Sequence, residues 1–130
     1  MENTKLRELY VKYELTTNDV YKHKHYVIIT RQGIEKIQAK TGIKVTYEVI
    51  KCEAKFAVIK ATANIPSEKI VIETFGSALK GDTYNDGNCN SWYVAEMAEK
   101  RALSRAILKL TGFYEQGVFG EDESEDFKKK

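Results

Sequence analysis

SWYVAEMAEKRALSRAILKLTG, residues 91–112, is the one long uninterrupted helical pattern in the chain. Ala95, Ala98, Ala102 and Ala106 recur at helical spacing and share one side, flanked by Leu103, Ile107 and Leu110. A face built of alanines carries no bulk, so this helix is expected to lie close against a sheet. Asn90 or Ser91 is the expected N-cap, and Thr111-Gly112 supplies the C-terminal stop. Beside the alanine face runs a second stripe, Arg101, Arg105 and Lys109, spaced i, i+4, i+8. Like charges at that spacing repel by a few tenths of a kcal/mol per pair, roughly. Glu96 can pair with Lys100, but no acid stands four residues from either arginine on its own stripe. An external anion would relieve the repulsion; a solvated basic face is the alternative.

Upstream of this helix the pattern is mostly strand. HYVIIT (25–30) is a compact β-branched run and reads as a buried strand. It leads into RQGIEKIQAKTG (31–42), a helix with Thr30 as N-cap, Ile34, Ile37 and Ala39 as its apolar face, and Gly42 as its end. Three strands follow. Ile43, Val45, Tyr47 and Val49 alternate with Lys44, Thr46 and Glu48. After a turn near Cys52–Lys55, Phe56, Val58, Lys60 and Thr62 alternate with Ala57, Ile59, Ala61 and Ala63. Pro66-Ser67 then marks a turn before KIVIETF (69–75). Short connections favour an antiparallel meander. The expected fold class is therefore α+β: strand, helix, three strands and long helix, with the helices packed on one face of the meander. At the front, TKLRELYVKYE (4–14) has helical spacing of Leu6, Leu9, Tyr10 and Tyr13, although LYVKYEL also alternates as a strand would, and a polar turn follows at 15–19. The expected organisation is an N-terminal arm (1–19), one α+β domain (20–115) and a flexible acidic tail (116–130).

A chain of 130 residues, 42% hydrophobic and 31% charged, suits one ordinary soluble domain. No apolar run approaches a membrane span, and MENTKLREL lacks the apolar core of a signal peptide. Cys52 and Cys89 form no CxxC pair, so a reducing, cytoplasmic setting is the expectation. The net charge of +2 is unevenly spread. Residues 120–130 carry five acids against three lysines, a net of −2, which leaves the rest near +4. A basic body with an acidic tail points to a polyanion partner.

No catalytic constellation emerges. His23 and His25 stand two apart with no further His or Cys at ligand spacing. Glu73, Asp82, Asp86, Glu96 and Glu99 lack the tight spacing of a metal-dependent nuclease. No phosphate loop, G-x-S-x-G or Cys–His pair is present. The chain is expected not to be an enzyme and to need no cofactor or metal. Basic residues interleaved with aromatics are the stronger signal. Lys44, Lys51, Lys55, Lys60, Lys69 and Lys80 decorate the meander and its turns. Lys100, Arg101, Arg105 and Lys109 line the helix, and Tyr84, Trp92 and Tyr93 gather near its start. Single-strand binders combine a basic track for phosphates with rings on which bases stack, each worth about 1–3 kcal/mol.

YVIITRQGIEKIQAKTGI, three strands, IETFGSA, a loop and then YVAEMAEKRALSRAILKLTG resemble the small phage single-strand annealing proteins, the RecT, Redβ and Sak-like group. Residues 97–112 are the most specific part, and the likeness covers roughly residues 20–115. It implies ATP-independent binding of single-stranded DNA, annealing in recombination, and a homo-oligomer, although this chain is shorter than most of that group. Glu121, Asp122, Glu123, Glu125, Asp126 and Phe127 look like the acidic-hydrophobic tips that recruit replication or recombination proteins; Lys128–Lys130 depart from that pattern. A solubilising tail is the other reading. The alternative function is a phage accessory module or inhibitor whose basic helix stripe binds an acidic protein.

Overall fold

The computed structural model describes residues 4–23, 26–80, 87 and 93–121. From the N-terminus the elements are a helix at Thr4–Lys12 (α1), strands at Val20–His23 (β1) and Tyr26–Ile29 (β2), and a helix at Arg31–Thr41 (α2). The meander strands Lys44–Cys52 (β3), Phe56–Ile65 (β4) and Ile70–Leu79 (β5) follow, then the long helix Val94–Thr111 (α3). A 3-10 turn at Tyr114–Gln116 leads to a last strand, Val118–Gly120 (β6). The fold is α+β, as the pattern predicts. It has two three-stranded sheets, in the orders β1-β2-β6 and β3-β4-β5. β2 therefore belongs to a separate sheet, and only β3, β4 and β5 form the meander.

α3 is the centre of the molecule. Its alanine face packs as expected, with Ala98, Ala102 and Ala106 fully buried against the meander. The approach is closest at Gly76 of β5, where an added Cβ would lie 2.2 Å from the Ala98 carbonyl oxygen and 2.4 Å from the Ala102 nitrogen. Thr74, one pleat away on the same face, donates its hydroxyl to the Ala102 carbonyl at 2.7 Å. On another side of α3, Ser104 meets Gly120 of β6, where a Cβ would lie 2.7 Å from the serine Cβ. A helix held between two sheets is buried nearly all round, from Arg101 to Leu108. The main core gathers Ile29, Ile34, Ile37, Ile65, Ile107, Phe113 and Val118, with Tyr13 beside the Phe113 ring at 5.7 Å. A smaller core joins Ala57, Ile59 and Ala78 to Val94, Met97 and Ala98.

Several boundaries differ from the sequence reading. β5 continues to Leu79 rather than ending at Phe75, because Gly76 is a packing position under α3 and not the start of a loop. α3 starts at Val94 after Tyr93, which gives no side-chain cap; the expected caps Asn90 and Ser91 lie outside the described residues. Val118–Gly120, read as tail, pairs in parallel with β2. Ala39 is exposed rather than part of the apolar face of α2. The other caps stand as read. Thr30 accepts from the Gly33 amide at 3.2 Å, while Gly42 and Gly112 end α2 and α3 at φ 71° and 88°.

One buried acid ties α2 to the turn before β1. Asp19 is inaccessible to solvent, and its carboxylate accepts from Lys36 Nζ at 2.7 Å, the Thr16 amide at 2.9 Å and Gln32 Nε2 at 3.3 Å. Burial by itself raises its pKa, but the bonds from Lys36 and Thr16 outweigh burial and hold it below the ordinary value. A carboxylate with a lowered folded pKa adds stability above its unfolded value of about 3.9. That contribution is lost as pH falls through the folded value. Asp19→Asn should therefore be less stable than the parent at pH 7, and the gap should begin to narrow below about pH 4 and close only as pH falls through the lowered folded value, as read from urea midpoints across pH.

Candidate nucleic-acid interface

The register of β4 and β5 decides which backbone groups are available. The Lys80 amide donates to the Lys55 carbonyl at 2.7 Å, which makes those two residues a hydrogen-bonded pair. Bonded pairs recur at every second residue of an antiparallel ladder, so Ala57/Ala78 and Ile59/Gly76 are bonded too. Phe75 and Ser77 lie between them and direct their N–H and C=O groups away from β4. β5 is the last strand of its sheet, so these groups line an open edge.

The two arginines of α3 meet that edge. Arg101 donates from Nη1 to the Ser77 carbonyl at 2.8 Å, and Arg105 from Nη1 to the Phe75 carbonyl at 3.0 Å. α3 runs antiparallel to β5, so one helical turn matches two strand residues and both guanidinium groups find a carbonyl. The repulsion along the stripe is thus met within the molecule by carbonyl dipoles. Arg101 is only 3% exposed and stands inside the fold, which corrects its reading as a solvent-facing phosphate contact. Arg105 is half-buried and Lys109 is exposed, with its ammonium 5.4 Å from the centre of the Tyr114 ring.

The other expected site residues are divided. Lys55 and Lys80 face each other at the end of β4 and β5, near the start of α3 through the contacts of Ala57 and Ala78 with Val94. Tyr93 precedes α3 and is 37% exposed. Lys100 is half-buried and, five residues from Arg105, lies on another side of the helix. Lys60 sits between acids of both neighbouring strands, 3.1 Å from Glu73 and 3.3 Å from Glu48. Those carboxylates, Glu73 foremost, raise its pKa and hold it as a cation whose charge is already balanced. That arrangement sets Lys60 apart from the cations that have no acid beside them in this way. Tyr84 and Trp92 lie outside the described residues.

Phe75 is a ring the sequence reading passed over. Its carbonyl holds Arg105 while its side chain, on the face away from α3, is 51% exposed. Val71 and Leu79 share that face, at 62% and 41% exposure. The signal was in KIVIETFGSAL, where apolar residues occupy both phases of the strand alternation and one set must face outward.

Of the tail, Glu121 accepts the Arg31 amide on Oε1 at 3.1 Å and so sits at the first turn of α2. Asp122, Glu123, Glu125, Asp126 and Phe127 lie outside the described residues. Among the described residues no group of three His, Cys, Asp or Glu is placed to hold a metal ion, and no helix is long and apolar enough to cross a membrane. Comparisons with protein-family models, curated proteins and solved structures return no match.

Proposed function

We propose that this chain binds single-stranded DNA along the outer edge of β5 and serves ATP-independent strand annealing in recombination. One observation carries the reading: Arg105 is fixed to the carbonyl of Phe75, whose ring is half exposed on the adjoining face. A cation and a ring at one residue of the edge are the two elements of a single-strand platform, phosphate neutralisation and base stacking. Lys109 extends the basic side along α3, and Lys55 with Lys80 extends it past the far end of β5. Arg101 works from beneath, holding the Ser77 carbonyl and so the strand against the helix. Nothing in this arrangement reads a base edge, so affinity should be nearly independent of sequence. Binding bases by their faces leaves their pairing edges open to a complementary strand, which is what annealing requires.

Anisotropy titration of a labelled oligothymidine tests the proposal. Binding should weaken by orders of magnitude between about 50 and 200 mM salt, and complementary oligonucleotides should pair faster with the protein present. Equal affinity for polyglutamate and for the oligonucleotide would overturn it, since charge alone would then account for the contact.

A further inference from the structure

The meander has two edges, and they are treated differently. Arg101 and Arg105 occupy two of the outward carbonyls of β5, those of Ser77 and Phe75. β3, the other edge strand, has no such cover among the described residues: every residue of Lys44–Cys52 except Val45 is exposed, including Tyr47 at 42% and Val49 at 61%. A nine-residue edge of this kind is a template for another strand.

We infer that the β3 edge pairs antiparallel with the same edge of a second copy of this chain, about a twofold axis through Thr46. The register follows from the backbone and the side chains together. On β4 the odd residues bond to β5, so the even ones bond to β3, and Lys60/Glu48, Thr62/Thr46 and Asn64/Lys44 are the bonded pairs. Val45, Tyr47 and Val49 then turn their N–H and C=O groups to the open edge. Two such edges can bond only when odd residues face odd residues. Placing Val45 opposite the partner's Tyr47 meets that condition, and three favourable kinds of pair arise at once. Lys44 faces the partner's Glu48, Val45 faces the partner's Tyr47, and the two threonines meet at the axis. Opposite charges, a β-branched residue against an aromatic ring, and Thr–Thr are all stabilising cross-strand pairs.

Charge supplies a second argument. On the outer face of the meander Glu73, Lys60 and Glu48 already form an alternating row across the three strands. Lys44 lies on the same face of β3 as Glu48 and makes no ion pair with a described residue. The twofold continues the row into the second copy as a lysine beside Glu48, and does so twice. The pairing ends near Val49, where a bulge shifts the β3–β4 register between Val49 and Lys51. The contact is isologous, so it closes at two copies through this edge. The inference does not rest on DNA binding and is tested without DNA.

Sedimentation velocity over a concentration series should show a monomer–dimer equilibrium. Tyr47→Pro removes an edge N–H that the protomer does not use in its own ladder, and should leave a folded monomer. Lys44→Glu sets like charges opposite at both ends and should weaken the dimer roughly tenfold or more. It also guards against a folding defect in the proline variant. In a background with Cys52 and Cys89 changed to serine, Thr46→Cys should form an intermolecular disulfide on mild oxidation, because residues opposite at a non-bonded pair have Cα atoms about 4.5 Å apart. Glu48→Cys should not, its two copies being displaced by roughly 14 Å along the strands. A monomer at all concentrations, a dimer indifferent to Lys44→Glu, or equal crosslinking at positions 46 and 48 would overturn the inference.

Discussion

Gly76→Val should unfold the protein or cost at least about 3 kcal/mol, and Gly76→Ala should already cost most of that. The reason is the closeness of α3 to β5. A Cβ at this position meets the Ala98 carbonyl oxygen and the Ala102 nitrogen at 2.2 and 2.4 Å, and both are backbone atoms of the central helix. A flexible side chain could swing away, but a helix backbone can only shift as a whole. That shift would drag Ala98, Ala102 and Ala106 from contacts in which each is fully buried, and would break the bond from Thr74 to the Ala102 carbonyl. Overpacking ordinarily costs about 1–3 kcal/mol, and this site lies at or beyond the top of that range. Urea denaturation followed by circular dichroism measures it. A Gly76→Ala midpoint equal to that of the parent would mean that α3 does not press on β5 as described.

Arg101→Ala should be the second severe change, costing about 3 kcal/mol, whereas Arg105→Ala should cost no more than about 1 kcal/mol. The two arginines stand one turn apart and make the same kind of bond, but their surroundings differ. Arg101 is 3% exposed, so its removal strands the Ser77 carbonyl without its charged donor and leaves a gap between α3 and β5. Arg105 is half-buried, and water can reach the Phe75 carbonyl when its side chain is cut back. Urea midpoints of the two variants should therefore separate widely. Equal losses would mean that both positions are structural and that the β5 edge carries no exposed cation of its own.

How far the sequence could be read depended on how local each signal was. The alanine face of α3, the glycine stops at Gly42 and Gly112, the Thr30 cap and the alternation along β4 each rest on a few neighbouring residues, and each appears in the fold. β1 and β6 are four and three residues long and owe their form to β2 between them, so periodicity had too little length to register them. Helix spacing placed Arg101 and Arg105 on one stripe correctly. It could not tell that an edge strand would offer carbonyls beneath them, because that depends on residues more than twenty positions away. The ion pairs of Lys60 were hidden for the same reason: Glu48 and Glu73 become its neighbours only once β3 and β5 flank β4. Gly76 carried a double meaning, turn or close approach, that only the packing of α3 resolves.

The salt dependence of oligonucleotide binding by Arg105→Ala, set beside that of Lys60→Ala, tests the β5 edge most directly. Both substitutions remove one positive charge, so net charge does not separate them. Arg105 stands on the edge with Phe75, whereas Lys60 is held between two carboxylates on the meander face. The slope of log affinity against log salt should shrink by about 0.7 for Arg105→Ala, one phosphate contact on a single strand, and stay at the parental value for Lys60→Ala. A slope unchanged by Arg105→Ala, or lowered equally by both variants, would contradict binding along the β5 edge.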